Sequence, residues 1–143
     1  MIHHSVSLFW LLISYLVLPF IASLYAGVVV SRFNRFYNAK DMACRMIFDI
    51  DPGVRVGSSM LLQPRLNERL NYPVQILRDS GQLDAHYILL NIAREIEKEL
   101  SEAETKLAAG ATEVLLSKEQ WEAEARMMQP SMQAVFTTRP YQF

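Results

Sequence analysis

The residues of this chain that could do chemistry are few and far apart. Its three histidines are His3, His4 and His86, and its one cysteine is Cys44. A free amino group with histidine at the third position can wrap Cu(II) or Ni(II) in a square-planar nitrogen site. The simpler reading of His3 and His4 is a pair of interfacial polar residues in a short tail. A nucleophilic Cys44 needs a histidine beside it, yet His3 and His4 lie beyond a long apolar run and only His86 is left to reach it. His86 falls among apolar residues of an expected helix, where a hydrogen-bonded histidine is the ordinary outcome. Glu95, Glu97, Glu99, Glu102 and Glu104 share a charged helix face with Arg94, Lys98 and Lys106. Carboxylates so solvated lack the raised pKa that an acid catalyst needs. The glycines Gly27, Gly53, Gly57, Gly81 and Gly110 stand singly, so none builds a phosphate-cradling loop. No cysteine and histidine cluster has metal-ligand spacing. The sequence therefore points to no catalytic, cofactor-binding or metal-binding residue, no enzyme, no cofactor and no small-molecule substrate.

The position of these residues is governed by residues 8–30, LFWLLISYLVLPFIASLYAGVVV, 23 residues without a charge. At ~1.5 Å per residue such a helix reaches across a bilayer core. Two other readings are weaker. A cleaved signal would open with Lys or Arg and have an apolar region of roughly 7–15 residues, whereas no Lys or Arg precedes Leu8. A buried helix of a soluble core would have to be enclosed on every side by a chain of only 143 residues.

Residues 1–31 carry no charged side chain, while Arg32, Arg35, Lys40 and Arg45 follow at once. The positive-inside rule then places a short tail of residues 1–7 outside, a transmembrane helix over residues 8–31, and the rest in the cytoplasm, most simply at a bacterial inner membrane. A single cysteine agrees with a reducing compartment, since no disulfide can form within one chain. Within the span, Ser23, Gly27 and Ser31 recur at every fourth position, with Ala22 and Ala26 beside them. A face without bulk lets another membrane helix come close, so other membrane subunits are the expected partners together with the lipid bilayer. Pro19 removes one backbone donor and predicts a kink. Trp10 and Tyr37 suit interface anchors, and Arg32, Arg35, Lys40 and Arg45 suit lipid headgroups.

Past the span, residues 32–50 keep a helical rhythm and predict an amphipathic juxtamembrane helix, with a continuous rod preferred to a bend at Asn34 or Asn38. Asp51, Pro52 and Gly53 predict a turn. Residues 51–82 read as an irregular connector with short helices: a possible strand over 54–56, a cap at Ser58 or Ser59, and a short helix opened by Pro73 and closed by Gly81. The clearest element covers residues 83–109. Its apolar positions Ala85, Leu89, Ile92, Ile96, Leu100, Ala103 and Leu107 follow an eleven-residue repeat, ~3.67 residues per turn, so the stripe runs nearly straight and suits a bundle partner. Ser117 and Gln120 form a capping-box pattern ahead of a helix carrying Trp121. Residues 83–129 thus predict a helical hairpin, with a partner-helix face of Leu89, Ile92, Ile96, Leu100, Leu107 and Trp121. Residues 130–143 read as an extended tail, docked on a partner or back on the hairpin.

Residues 32–79 carry eight basic and five acidic side chains, and residues 80–143 six and ten, so the membrane-near portion is about +3 and the distal portion about −4. No basic face lies away from the membrane, which argues against nucleic acid. The expected protein is all-α and single-pass: a membrane accessory or scaffolding subunit of a larger complex. The alternative is a membrane-tethered adaptor whose hairpin recruits a soluble partner. On this topology a reporter that is active only outside the cytoplasm, fused after Phe143, stays silent. Activity there would reverse the orientation.

Overall fold

The computed structural model describes residues 2–55 and 65–137. Over these residues the chain is mostly helical. In order run α1 (Ile2–Phe48), β1 (Gly53–Arg55), α2 (Arg65–Asp79), α3 (Leu83–Ala108), β2 (Glu113–Leu115), α4 (Lys118–Met127) and α5 (Met132–Phe136).

α1 is one unbroken helix of 47 residues that takes in both the apolar run and the juxtamembrane segment. It passes Asn34 and Asn38 without a break, as the rod requires, and it already includes residues 2–7, which had read as a tail. Pro19 lies inside it. The two halves meet different surroundings. From residue 36 on, Phe36, Ala39, Ala43, Ile47 and Ile50 are buried at spacings of three and four, the stripe of a helix packed on one side. Before residue 31 the side chains that the structure describes, from Trp10 on, are mostly uncovered: Trp10, Leu16, Leu18, Phe20, Ile21, Leu24 and Val30 are all exposed. One apolar 18-residue window of α1 has none of its length buried, so the described chain does not enclose this segment in a core of its own; by length and composition it is sufficient to cross a membrane.

The lower half of α1 is the spine of the helical body. α2 packs on α1 and α3, and α4 lies against both α1 and α3. One apolar cluster joins Phe36, Ala43 and Ile47 of α1, Leu70 and Leu77 of α2, Leu89, Ile92 and Ile96 of α3, and Trp121 and Ala125 of α4. A smaller cluster of Val54, Ala103 and Leu107 closes the far end beneath the ribbon. There β1 and β2 pair antiparallel, Val54 opposite Val114, and Arg55 reaches Glu113 at 3.1 Å.

Both expected glycine stops are present, with the same geometry. Gly81 (φ 74°) ends α2 and Gly110 (φ 103°) ends α3. In each case the glycine N–H and the next N–H bond back into the last turn: Gly81 to Arg78 and Gln82 to Leu77, then Gly110 to Leu107 and Ala111 to Lys106. This six-to-one, five-to-two pattern needs a residue at positive φ, which glycine adopts without a Cβ penalty.

Four expectations are corrected. Pro73 does not open a short helix but lies in the middle of the 15-residue α2. Proline removes one intrahelical bond and typically costs ~3 kcal/mol inside a helix; Leu70, Val74 and Leu77, buried on one stripe around it, hold the helix through that defect. Residues 113–115, assigned to the bend of a hairpin, form a strand because Gly53–Arg55 lies alongside as its partner. The capping box is not made: Ser117 gives no side-chain cap, its N–H instead donating to Glu99 Oε2 at 2.8 Å. Residues 132–136 are helical, not extended, capped by Ser131 Oγ, which accepts from the Ala134 N–H. The expectations for Ser58 and Ser59 and for the tail beyond residue 137 lie outside the described residues.

Candidate partner and membrane interface

The side chains singled out from the sequence sort into three groups. Ser23, Gly27 and Ser31 line one groove with Leu24, Val28, Arg32 and Arg35 of α1 on one side and Tyr72, Ile76 and Asp79 of α2, with Ser80 just after it, on the other. Its volume is about 910 Å³. A Cβ built on Gly27 would meet nothing within 4 Å, so no part of the described chain occupies the close approach that this glycine permits. The groove thus runs from the small-residue face of the apolar half to a rim carrying Arg35 and Asp79. The α2 side was legible only in part: Ile76 and Asp79 fall in the short helix expected after Pro73, whereas Tyr72 lies in the portion of α2 before it.

The four basic residues expected at lipid headgroups divide. Arg35 lines the groove, and Arg45 pairs with Asp41 at 2.9 Å on an exposed surface. Arg32 and Lys40 turn inward to backbone. The Arg32 guanidinium donates to the carbonyls of Ala134 and Val135 at 3.2 Å each and to that of Thr137, at the C-terminal end of α5. The Lys40 ammonium donates to the carbonyls of Arg126 (2.5 Å) and Met128 (2.7 Å), at the end of α4. Lys118 does the same for α1, donating to the Phe48 carbonyl at 2.6 Å and sitting 5.0 Å above the Phe48 ring. The last carbonyls of a helix lack intrahelical donors and carry the negative end of its dipole, so a cation there contributes ~0.3–1 kcal/mol and up to ~2 where partly buried.

The third group is the face expected to meet a partner helix. Leu89, Ile92, Ile96 and Trp121 are fully buried, Leu107 is nearly so and Leu100 is half-buried. Their cover comes from α1, α2, α4 and the ribbon of this chain. At the start of α3, Ala85 and Leu89 are buried while Tyr87 and Ile88 stay exposed.

His86 is hydrogen-bonded, its Nδ1 3.1 Å from the Val74 carbonyl. Such contact with a carbonyl places the proton on Nδ1. A second groove, about 440 Å³, lies between Glu95, Glu99 and Glu102 of α3 and residues 114–117, with Lys98 and Lys106 at its edge; it is open and charged. Among the described residues, no three His, Cys, Asp or Glu side chains converge as metal ligands. Comparison with protein-family models, curated proteins and solved structures gave no match.

Cys44 is half-buried against the core. Burial pushes its thiol above the ordinary value, and Lys40 and Arg126 pull the other way with less effect. A raised folded pKa means that the protonated thiol contributes to stability fully below the ordinary value, and that this contribution is lost as pH rises through the raised one. Iodoacetamide should therefore modify Cys44 with a pH profile displaced to the alkaline side of that of the urea-unfolded chain. Coincident profiles would show an open, water-exposed thiol.

Proposed function

We propose that this protein is a single-pass membrane accessory or scaffolding subunit, with its N-terminus outside and its helical body on the cytoplasmic side, most simply of a bacterial inner membrane. The observation that carries this proposal is the unfilled groove between α1 and α2, lined by Ser23, Gly27 and Ser31 and continued past Arg35 and Asp79. A transmembrane helix of a partner subunit fits such a surface, because close backbone approach and van der Waals packing drive helix association where lipid is as apolar as the side chains. The apolar side chains exposed along the upper half of α1 support placement in lipid. At ~1.5–3 kcal/mol for each large apolar side chain, leaving about twelve of them in water costs on the order of 20 kcal/mol, more than the ~5–15 kcal/mol net stability of a typical fold. Within this function the body acts as a rigid spacer, holding the partner's cytoplasmic portion against α2 and the exposed start of α3.

A tethered adaptor is the second reading, favoured by one observation: the face of α3 closes on this chain's own helices, so the body has a core without a partner. The two readings differ in where binding energy lies. Gly27→Leu adds a side chain exactly at the proposed helix contact and leaves the core untouched. In full-length protein purified in mild detergent, this change should release co-purifying membrane subunits while insertion stays normal. Unchanged co-purification would reduce α1 to an anchor and leave the adaptor.

A further inference from the structure

The short α5 occupies an unexpected height on the molecule. The Tyr25 hydroxyl, inside the apolar run, donates to the Phe136 carbonyl at 2.8 Å, while Arg32, the first cation after that run, holds the carbonyls of Ala134, Val135 and Thr137. Tyr25 and Arg32 are ~10 Å apart along the helix axis, so α5 lies across the level at which the uncharged half of α1 gives way to the charged half. The Phe33 ring meets Phe136 edge-on at 6.5 Å.

α5 is two-sided. Ala134 and Val135 are buried, whereas Met132 is 60% and Phe136 50% exposed. Residues 130–138 carry no charge, although α4 immediately before them holds Glu119, Glu122, Glu124 and Arg126. A second element shares this end of the body. The buried Gln82 Oε1 accepts from the Ser131 N–H at 2.6 Å, tying the α2–α3 turn to the start of α5, and the next residue, Leu83, is 53% exposed.

We propose that α5 and Leu83 form a membrane-insertion site: Met132, Phe136 and Leu83 sink into the headgroup and acyl boundary of the leaflet on the positive side. The occupant is lipid because α5 adjoins the apolar surface of α1 through Tyr25 and Phe33, residues 130–138 carry no charge, and the patch sits at the level where that apolar surface gives way to the charged half. Arg32, committed to α5 carbonyls, fastens the wedge to the span, and exposed Arg35 is left for phosphate headgroups. Two attachments at different positions fix the rotation of α1 and the height of the body over the bilayer, which one helix alone does not do.

This inference rests on α1 crossing the membrane, and the experiment separates the two. Full-length protein with Cys44→Ser is spin-labelled singly through Leu18→Cys, Leu83→Cys, Met132→Cys, Phe136→Cys or Leu115→Cys. It is reconstituted in vesicles of phosphatidylcholine and phosphatidylglycerol, and collision with oxygen is compared with collision with a water-soluble nickel chelate. Leu115 is 78% exposed at the ribbon and serves as the aqueous reference. Oxygen should dominate at 83, 132 and 136 as it does at 18, with nickel dominating at 115. Nickel access at 132 and 136 with oxygen access at 18 overturns the insertion site alone. Exclusion of both reagents at 132 and 136 overturns it in favour of a protein cover, and nickel access at 18 overturns it together with the membrane span.

Discussion

One continuous helix presents two different surfaces. In its upper half the described side chains of α1 are mostly apolar and uncovered; in its lower half the stripe of Phe36, Ala39, Ala43 and Ile47 is buried, while Tyr37 and Phe48 stay exposed. Because no turn separates the halves, the geometry of one determines the geometry of the other: any rotation or tilt imposed on residues 8–30 by lipid or by a neighbouring helix passes directly into the core beneath Trp121 and Leu89. A flexible tether would decouple them.

The C-terminal carbonyls of α1, α4 and α5 show how the rest of the body is fastened to this rod. Each is met by a cation from another element, Lys118, Lys40 and Arg32 respectively. Two of these three originate on α1, so that the helix supplies polar latches on the flank of its apolar stripe. From sequence, Arg32 and Lys40 belong naturally to headgroups, since basic residues after an apolar run usually do. The signal that would distinguish them lies 86 to 105 residues away, in helix ends whose positions only the fold defines.

Local rules fared unevenly for the same reason. Gly81 and Gly110 were legible as helix stops because a positive φ is a property of the residue and its turn. The stripe from Ala85 to Leu107 was legible because periodicity is local too. α2 was legible only from Pro73 on, since a proline reads as a helix start in any window and only the packing of Leu70, Val74 and Leu77 on two other helices carries the helix back through it. The ribbon pairs residues some sixty positions apart: a strand over 54–56 was readable and overlaps β1, but neither β2 nor the pairing has a local pattern. Ser117 and Gln120 matched a capping motif, but Glu99 reached the Ser117 N–H first. The groove was partly legible: its α1 wall follows from small-residue spacing, and of its α2 wall the helix expected after Pro73 carries Ile76 and Asp79 but not Tyr72.

The continuity of α1 between the apolar run and the core is the claim on which the rest depends. It is tested most directly by pulsed electron–electron resonance between spin labels at residues 24 and 48, both exposed, on a Cys44→Ser background in lipid. A rigid helix over these 24 steps separates the backbone positions by ~36 Å. A narrow distribution near that distance is expected. A broad one, or one centred well below it, would place a hinge between membrane and body and contradict the account.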